Sequence, residues 1–304
     1  MKNILISGAT GFIGSHVVDK LIAENFKVIA IKRSISSTER LKEVSKKVTF
    51  FDADKNDLSV VFTRYRIDAI IHCANIYGRN CDDRIKILEA NVLLGAKLAE
   101  LASRHNVKLF INTDTFYNTE AKTMPGRLGD YILSKRQFKE WLQLGGWRCR
   151  VVNLKLEHVY GVRDNPDKFI PWLIRSLHLN VTPIKLTEGK QKRDFVSAKD
   201  VAAAFVFCLK SSEIFKDEFQ EYGVGTGQYS TLREYIEKIC MIYEKTVGRV
   251  NSELDFGALH YPANEVMAPS DQISTLQELG WAPEQSFEET VASIIAEYEQ
   301  ESLH

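Results

Sequence analysis

A glycine-rich turn between an apolar segment and a helical pattern constrains the fold of this chain more than any other feature. The apolar residues 4–6 lead into Gly8, Gly11 and Gly14, and the apolar residues after them recur at the spacing of one helix face. Glycines at such a turn let backbone amides and a helix N-terminus approach a pyrophosphate. Three glycines can also form an ordinary turn, but a strand before and a helix after them are typical of dinucleotide binding. We therefore predict that a dinucleotide contacts the residues Gly8, Thr10, Gly11, Phe12, Ile13 and Gly14.

Length, charge and cysteine spacing limit the class of protein. The 304 residues can form one large domain, or a main domain with a smaller one. The 40 basic and 40 acidic residues cancel, so we expect no nucleic-acid partner. The five cysteines show neither a CxxC pair nor metal-ligand spacing, a pattern typical of reduced thiols in a cytoplasmic protein. No apolar run approaches the roughly 18 residues of a membrane span, and the sequence enters a strand at once, so we expect no membrane segment and no signal peptide.

Apolar strands alternate with helical patterns after the first turn. Further strands are predicted at residues 27–31, 48–52, 69–73, 107–112, 150–156 and 184–186. Helices are predicted at 58–65, 84–105, 169–179, 198–210, 231–243 and 287–299. Such alternation produces right-handed crossovers and a parallel sheet with helices on both faces. The prediction is an α/β fold, a Rossmann doubly wound parallel sheet with a smaller C-terminal substrate-binding domain. We expect the nucleotide-binding domain at 1–160 with a return segment near 190–225, and the second domain at 161–304.

The end of the second strand indicates which dinucleotide binds. Folds that bind NAD usually place an acidic residue there, which accepts hydrogen bonds from the ribose hydroxyls. Lys32 and Arg33 stand here instead, and two cations attract a 2′-phosphate that a carboxylate would repel. A solvated basic loop would have the same composition, but the charge argument favours NADP(H) over NAD(H). The remaining predicted cofactor contacts follow the third and fourth strands: Asp52, Ala53, Cys73, Ala74 and Asn75.

A tyrosine and a lysine four residues apart indicate proton transfer coupled to redox chemistry. Tyr131 and Lys135 would lie on one face of a helix, about 5–6 Å apart at their Cβ atoms. A free phenol has a pKa of about 10, and a nearby ammonium together with an oxidised nicotinamide ring stabilises the phenolate and lowers that pKa. Tyr131 can then exchange a proton with a carbinol oxygen while hydride moves to or from the ring. Thr113, at the end of the fifth strand, would hold the substrate oxygen. We predict Thr113, Tyr131 and Lys135 as catalytic, with Lys135 also contacting the cofactor.

Further motifs extend over nearly the whole chain. They are Gly8-x-x-Gly11-x-x-Gly14, His72-x-Ala74, Asn91-Val92, Tyr131-x-x-x-Lys135, Val159-Tyr160-Gly161, Gln191-x-Arg193-Asp194-Phe195-Val196 and Leu279-Gly280-Trp281-x-Pro283. With these motifs the chain resembles the extended short-chain dehydrogenase/reductases of the nucleotide-sugar branch. The stretches 154–161, 167–169, 185–187 and 76–79 are most similar to the bacterial CDP-paratose and CDP-abequose synthases. Those enzymes reduce the C4 ketone of a CDP-4-keto-3,6-dideoxyhexose on the way to O-antigen sugars.

The resemblance implies a function, a partner and a set of substrate contacts. It implies NADPH-dependent reduction of the C4 ketone of a nucleotide-diphosphate 4-keto-(3,)6-(di)deoxyhexose, linked to CDP or dTDP, by a cytoplasmic enzyme. It implies a homodimer through the Asn91 and Tyr131 helices, with an interface that includes Leu93, Leu94, Leu98, Phe138, Trp141 and Leu142. The implied substrate contacts are Tyr77, Arg79, Asp114, Thr115, His158, Phe169, Lys185, Arg193, Arg233 and Asn264. His158 stands where the family usually has a substrate-binding asparagine. Because no arginine follows Arg249, diphosphate binding falls to Arg193 with Arg233.

Three alternatives use the same fold. Sugar dehydratases of this family carry Thr-Asp-Glu at the fifth strand, and the run Thr113-Asp114-Thr115 lacks the glutamate, which disfavours elimination. A nucleotide-sugar 4-epimerase uses the same tyrosine, lysine and threonine and stays open, although such enzymes mostly use NAD. A non-catalytic NADP-binding protein is disfavoured by the presence of all three residues together.

Overall fold

A computed structural model describes residues 2–78, 83–118, 128–262, 265–268 and 274–301. The strands among them, in chain order, are β1 (Asn3–Ser7), β2 (Lys27–Lys32), β3 (Val48–Asp52), β4 (Ala69–His72), β5 (Leu109–Thr115), β6 (Arg150–Leu156), β7 (His158–Tyr160), β8 (Ile184–Leu186), β9 (Lys192–Arg193), β10 (Phe195–Ser197), β11 (Phe219–Val224), β12 (Ser230–Thr231) and β13 (Leu254–Phe256).

The helices follow the predicted positions closely. They are α1 (Phe12–Ala23), α2 (Ser59–Arg64), α3 (Arg84–Leu88), α4 (Leu94–Arg104), α5 (Gly129–Gln143), α6 (Phe169–His178), α7 (Ala198–Lys210), α8 (Leu232–Thr246) and α9 (Phe287–Glu301). A π-helical segment at Glu89–Leu93 joins α3 to α4, so the helix predicted at 84–105 is present with one wide turn in it. None of the helices in these described ranges combines the length and the apolar character that crossing a bilayer requires.

The chain forms two compact units. The first unit consists of Met1–Leu156, Val201–Val224 and Gln272–Ala282, and the second of Glu157–Asp200, Gly225–Asp271 and Pro283–His304. The chain therefore goes back from the second unit to the first at Val201, whereas the sequence suggested a return near residue 190. A second return, Gln272–Ala282, was not expected from the sequence.

The first unit is built on a parallel sheet of seven strands in the order β11-β6-β5-β4-β1-β2-β3. The chain runs outward from β1 to β3 and then crosses back to β4, so the strand order reverses between β1 and β4. In doubly wound sheets, ligands bind at the carboxyl ends of the strands at this reversal. The four residues of β4 are all buried, as expected for a strand covered on both faces. The predicted Rossmann fold is confirmed.

Helices α4 and α5 pack against this sheet through apolar side chains. Leu98 on α4 and Phe138 and Leu142 on α5 are completely buried in the core of the first unit. The Phe138 ring meets Phe110 of β5 edge-on, at 6.5 Å between centroids. Burying a side chain of this size contributes about 1.5–3 kcal/mol. The expectation that Leu98, Phe138 and Leu142 form a dimer interface is wrong, because their surfaces are already used inside one chain.

The second unit packs three helices around small sheets. Strand β7 pairs with β10 and β8 pairs with β13, both in parallel, whereas β9 pairs with β12 in the antiparallel sense. Side chains of α6, α8 and α9 form its apolar core. Helix α8 begins with a capping box, in which Thr231 and Glu234 each accept a hydrogen bond from the other's backbone amide.

Candidate active site

The turn between β1 and α1 has no room for a side chain at Gly8 or Gly14. Gly8 has a positive φ of +73°, and a Cβ placed there would lie 2.5 Å from the backbone nitrogen of Ala74. A Cβ on Gly14 would lie 2.1 Å from the carbonyl oxygen of Gly8. No side chain in the described part of the chain caps α1, whose N-cap residue is Gly11, so the first amides of this helix keep their hydrogen-bonding capacity. The residues of this turn fit a dinucleotide pyrophosphate.

The predicted cofactor contacts at the ends of β2 and β3 have different surroundings. The Lys32 ammonium lies 2.7 Å from the Asp52 carboxylate and also donates to the carbonyl oxygens of Arg33 and Ser34. The Arg33 side chain is exposed. The backbone amide of Ala53 donates to the Lys32 carbonyl at 2.9 Å. Lys32 forms an ion pair with Asp52, so Arg33 is the one of the two expected cations whose side chain is exposed.

Helix α5 carries Tyr131 and Lys135 side by side, both at most 3% exposed. The Lys135 ammonium donates to the backbone carbonyl of Thr113 on β5. The Thr113 hydroxyl donates to Cys73 Sγ at 3.3 Å. The structure therefore brings together the three predicted catalytic residues and the cysteine that follows β4.

The Tyr131 ring contacts two further hydroxyl-bearing side chains. Its ring stacks on Tyr77 with 4.6 Å between centroids. The side chains of Thr115 and Tyr77 both act on the pKa of its hydroxyl, which Thr115 lowers and Tyr77 raises. The sequence predicted Thr115 and Tyr77 as substrate contacts, and Thr113 as the hydroxyl that holds the substrate oxygen. In the structure, Thr115 is the threonine whose side chain lowers the pKa of Tyr131.

Burial dominates the ionisation of the Tyr131–Lys135 pair. Removal from water raises the pKa of Tyr131 well above its ordinary value, and the neighbouring Tyr77 and Asp114 raise it further. Burial lowers the pKa of Lys135, while the charge of Asp114 acts in the opposite direction. The sequence led us to expect a lowered tyrosine pKa. That expectation includes the charge of an oxidised nicotinamide ring, and it remains a prediction for the complex.

Asn91 braces the site from the π-helical segment. Its side-chain amide accepts from the backbone amide of Ile76 at 2.7 Å and donates to the Ile76 carbonyl and to Ser134 Oγ, each at 2.9 Å. Ser134 in turn donates to the Tyr131 carbonyl. One side chain thus fixes the loop before Tyr77 relative to the first turn of α5. The motif Asn91-Val92 was visible in the sequence, but its spacing gave no indication of this role.

Asp114 has a position unlike that predicted for a substrate contact. It is 3% exposed, and its carboxylate accepts from the Thr115 amide and from the side chains of Asn118 and Asn153. These bonds direct the carboxylate into the protein. Asn118 and Asn153 were not identified from the sequence.

The predicted substrate residues of the second unit mostly have protein partners. The Arg193 guanidinium forms an ion pair with Glu265 and donates to the carbonyls of Lys192 and Val266. The Arg233 guanidinium lies 4.2 Å from the centroid of the Phe256 ring and pairs with Glu237 at 3.1 Å.

The other predicted substrate residues have varied exposure. Burial, with the charges of Arg193 and Lys168, lowers the pKa of His158 to about 3, so its imidazole is neutral. Phe169 begins α6 and is half-buried, and Lys185 on β8 is exposed. Arg79 and Asn264 lie outside the described residues.

With this geometry in view, the comparison with known proteins identifies the family. Residues 4–225 match the NAD dependent epimerase/dehydratase family. The chain belongs to this family. Its resemblance to the extended short-chain dehydrogenase/reductases is thereby confirmed.

Individual relatives cover almost the whole chain. It is 34% identical over 299 residues to the CDP-abequose synthase of Salmonella muenchen, with 97% of both proteins covered. Among solved structures, it is similar to the UDP-glucose 4-epimerase of Thermotoga maritima with UDP-glucose, with a TM-score of 0.81, 22% identity and coverage of 99% of this chain and 100% of that one. It is also similar to the UDP-glucose 4-epimerase of Thermus thermophilus in complex with NAD, with a TM-score of 0.75, 24% identity and coverage of 98% and 99%. Both structures support the fold.

Proposed function

We propose that this protein is an NADPH-dependent reductase acting on the C4 ketone of a nucleotide-diphosphate 4-keto-6-deoxyhexose, with a CDP-4-keto-3,6-dideoxyhexose as its substrate. The observation that carries the proposal is the buried Tyr131–Lys135 pair beside a fifth strand that ends Thr113-Asp114-Thr115, without the glutamate of the dehydratases. The likeness to a CDP-abequose synthase supports the substrate class. Such a reaction belongs to the biosynthesis of O-antigen or other surface polysaccharide sugars.

The residues of the site divide the chemistry between them. The bound nicotinamide would supply the hydride for the ketone carbon. Tyr131 donates its phenolic proton to the ketone oxygen as that oxygen gains charge, and Thr113 or Thr115 hydrogen-bonds the same oxygen. Lys135 keeps a positive charge beside the phenolate that results. Asn91 and Ser134 keep the first turn of α5 in position, and burial of the pair excludes water from the proton transfer.

The choice of NADP(H) rests on one side chain. The family is named for NAD, but no acidic residue at the end of β2 is available to a ribose, since Lys32 and Arg33 occupy those positions. The exposed Arg33 is suited to bind a 2′-phosphate through two parallel hydrogen bonds. Gly8, Gly11 and Gly14 with the start of α1 would hold the pyrophosphate.

We assign the nucleotide-sugar end to the second unit. The resemblance to the family gives diphosphate binding to Arg193 with Arg233, and their present partners are Glu265 and Glu237. A diphosphate carries more negative charge than one carboxylate, so we expect it to compete successfully for the Arg193 guanidinium.

A homodimer is also part of the proposal. The exposed apolar residues of α3, the π-helical segment and α5 are Ile85, Leu88, Leu93, Leu133 and Trp141, with Leu93 50% and Trp141 53% exposed. Side chains of this kind on two neighbouring helices are suited to bury against a second copy of the same surface. Leu93 and Trp141 were expected from the sequence, whereas Ile85, Leu88 and Leu133 take the place of the buried Leu98, Phe138 and Leu142.

A nucleotide-sugar 4-epimerase is the second candidate, favoured by the family's name and by the epimerases among the similar structures. The two functions differ in cofactor use, because an epimerase regenerates its cofactor in each turnover whereas a reductase consumes NADPH. The test is to incubate the protein with NADPH and, separately, CDP-4-keto-3,6-dideoxyglucose, dTDP-4-keto-6-deoxyglucose and UDP-glucose. We expect stoichiometric NADPH oxidation with the CDP-linked ketone, slower oxidation with the dTDP-linked ketone and none with UDP-glucose. Formation of UDP-galactose without NADPH oxidation would support the epimerase instead.

A further inference from the structure

Helix α5 carries both Tyr131 and Lys135, but its first turn has little support from its own sequence. The helix begins at Gly129, and glycine disfavours a helix more than any residue except proline. Within the described residues no side chain caps this helix, because its N-cap residue is Leu128, which has no side-chain oxygen for the free amides. The order of this turn therefore depends on contacts with other elements.

Two contacts act on the backbone and the polar side chains of this turn. Ser134 Oγ donates to the Tyr131 carbonyl at 2.7 Å and accepts from Asn91 Nδ2 at 2.9 Å. Arg84 of α3 pairs with Asp130 at 3.2 Å, but both side chains are exposed, and ion pairs of this kind contribute little to stability. Neither contact acts on the Tyr131 ring, whose hydroxyl is the reacting group of the proposed function.

The ring of Tyr77 makes the contact with the Tyr131 ring. The ring centroids are 4.6 Å apart, and the ring planes are inclined by 29°. Aromatic rings at such a separation attract one another beyond the effect of the area that they bury. A phenol oxygen lies on the axis of its ring, so its position is determined by the backbone and by χ1. A ring that lies along one face of Tyr131 therefore restricts the positions that the Tyr131 oxygen can take.

Tyr77 is itself held in place by the residues on both sides of it. Asn91 accepts from the backbone amide of Ile76 at 2.7 Å and donates to the Ile76 carbonyl at 2.9 Å. Gly78 has a φ of +73° and lies so close to α3 that a Cβ there would be 2.8 Å from Ile87 Cδ1. The backbone before Tyr77 is thus bonded to the π-helical segment, and the backbone after it packs on α3.

We propose that Tyr77 is a positioning residue, whose ring holds the Tyr131 phenol in the direction that proton transfer requires. The proposal rests on the reductase function given above, in which Tyr131 gives its proton to the ketone oxygen. Such a transfer needs the two oxygens at hydrogen-bond distance, and a displacement of about 1 Å can cost roughly 100-fold in rate. Because the contact is made by the ring, the role needs no Tyr77 hydroxyl. A substrate contact, which the sequence predicted for Tyr77, would need that hydroxyl.

The first test separates the ring of Tyr77 from its hydroxyl. Tyr77→Phe keeps the ring and should retain a near-normal kcat. Tyr77→Leu removes the stack but leaves an apolar side chain, and we expect kcat for NADPH-dependent reduction to fall by roughly 10- to 100-fold. The KM for CDP-4-keto-3,6-dideoxyglucose should be the same in both variants and in the wild type. Initial rates at saturating NADPH and varied sugar nucleotide measure both constants.

The second test measures the Tyr131 ring directly and needs no substrate. The protein with ¹³Cε-labelled tyrosine is studied by NMR relaxation, and the Tyr131 signal is identified by its absence in Tyr131→Phe. The order parameter of this ring reports its motion on the picosecond to nanosecond timescale. We expect a high order parameter in the wild type and in Tyr77→Phe, and a lower one in Tyr77→Leu.

His105→Leu is the matched control, because it removes a stack of comparable geometry elsewhere in the first unit. His105, at the C-terminal end of α4, stacks on Phe62 with 5.1 Å between centroids and 25° between planes. This substitution should leave kcat, KM and the Tyr131 order parameter unchanged.

Three results would overturn the proposal. If Tyr77→Phe loses as much kcat as Tyr77→Leu, the hydroxyl and not the ring is needed. If KM for the sugar nucleotide rises while kcat stays the same, Tyr77 is a substrate contact. If Tyr77→Leu leaves kcat or the Tyr131 order parameter unchanged, the stack does not position Tyr131. If the wild type reduces no 4-keto sugar nucleotide, the proposed function fails, while the order parameter still decides whether Tyr77 holds the Tyr131 ring.

Discussion

Lys32 and Asp52 are direct partners in the register of β2 and β3, and their side chains form an ion pair of 2.7 Å at the carboxyl ends of these strands. The pair leaves Arg33 as the cation with an exposed side chain next to it. Lys32 and Arg33 are adjacent in sequence, but the ion pair gives Lys32 a structural role and leaves Arg33 as a candidate ligand contact.

The first prediction follows from that separation. Arg33→Ala should weaken NADPH binding by about 10- to 150-fold, the equivalent of about 1.5–3 kcal/mol for a charge-assisted hydrogen bond, and leave NADH binding almost unchanged. Lys32→Met is the matched control. It should lower stability by about 1 kcal/mol or less and keep the preference between the two cofactors. Titration calorimetry with both cofactors measures these effects, and an unaltered NADPH preference in Arg33→Ala would remove Arg33 from the 2′-phosphate site.

The second prediction concerns the hydroxyl groups around Tyr131. Tyr131→Phe keeps the ring but removes the proton donor, so turnover should fall by roughly 10²–10⁴-fold while the substrate still binds. Thr115→Val should be milder, because it removes only a hydrogen bond. The Thr115 side chain lowers the pKa of Tyr131, so its loss raises that pKa and should move the alkaline limb of the pH profile of reduction to higher pH.

Thr113→Val provides the comparison for the same strand. The Thr113 hydroxyl bonds to Cys73, so its removal should reduce turnover less than Tyr131→Phe and should leave the alkaline limb in place. A larger displacement of the limb in Thr113→Val than in Thr115→Val would mean that Thr113 is the partner of Tyr131 in the complex.

The sequence predicted some features well for reasons that the structure makes clear. Strands β1 to β6 were found because each contains a run of adjacent apolar residues, which is typical of strands in a parallel sheet. Strand β11 was missed because it is an edge strand in which only Val224 is buried, so Phe219–Val224 has no such run.

The misassigned side chains depend on contacts between distant parts of the chain. Asp114 and Lys32 looked available because their partners, Asn153 and Asp52, lie on neighbouring strands whose register the sequence does not reveal. Leu98 looked like an interface residue because helical spacing shows that a face is apolar, but not whether it meets the chain's own sheet or a second copy.

The third prediction tests the proposed dimer. Leu93→Glu should reduce the dimer fraction seen by light scattering at micromolar concentration, because an unpaired carboxylate would be buried between the copies. Met241→Glu on α8 is the matched control, since Met241 is 61% exposed and lies in the second unit. A wild type that is monomeric and fully active would contradict the dimer.

The fourth prediction concerns stability at acid pH. Burial lowers the pKa of His72 to about 3 from the ordinary 6.5, so between these values the unfolded chain binds a proton that the folded chain does not. The stability that the buried, neutral His72 allows the folded state is therefore fully present above pH 6.5, and it is lost as the pH falls toward 3. It gives a slope of up to about 1.4 kcal/mol per pH unit in this window. Urea unfolding at pH 5 and pH 7 should show a smaller difference for His72→Asn than for the wild type, and an equal difference would mean that His72 is not the group responsible.

The most direct test of the central claim follows the hydride into the product. The protein is incubated with CDP-4-keto-3,6-dideoxyglucose and NADPH that carries deuterium at the transferable position, and the product is analysed by NMR. The reductase account predicts one deuterium at C4 in a single C4 stereoisomer, one NADP⁺ formed for each sugar, and no product with Tyr131→Phe on the same timescale. A C4 epimer formed without net NADPH consumption, or turnover that persists in Tyr131→Phe, would contradict it.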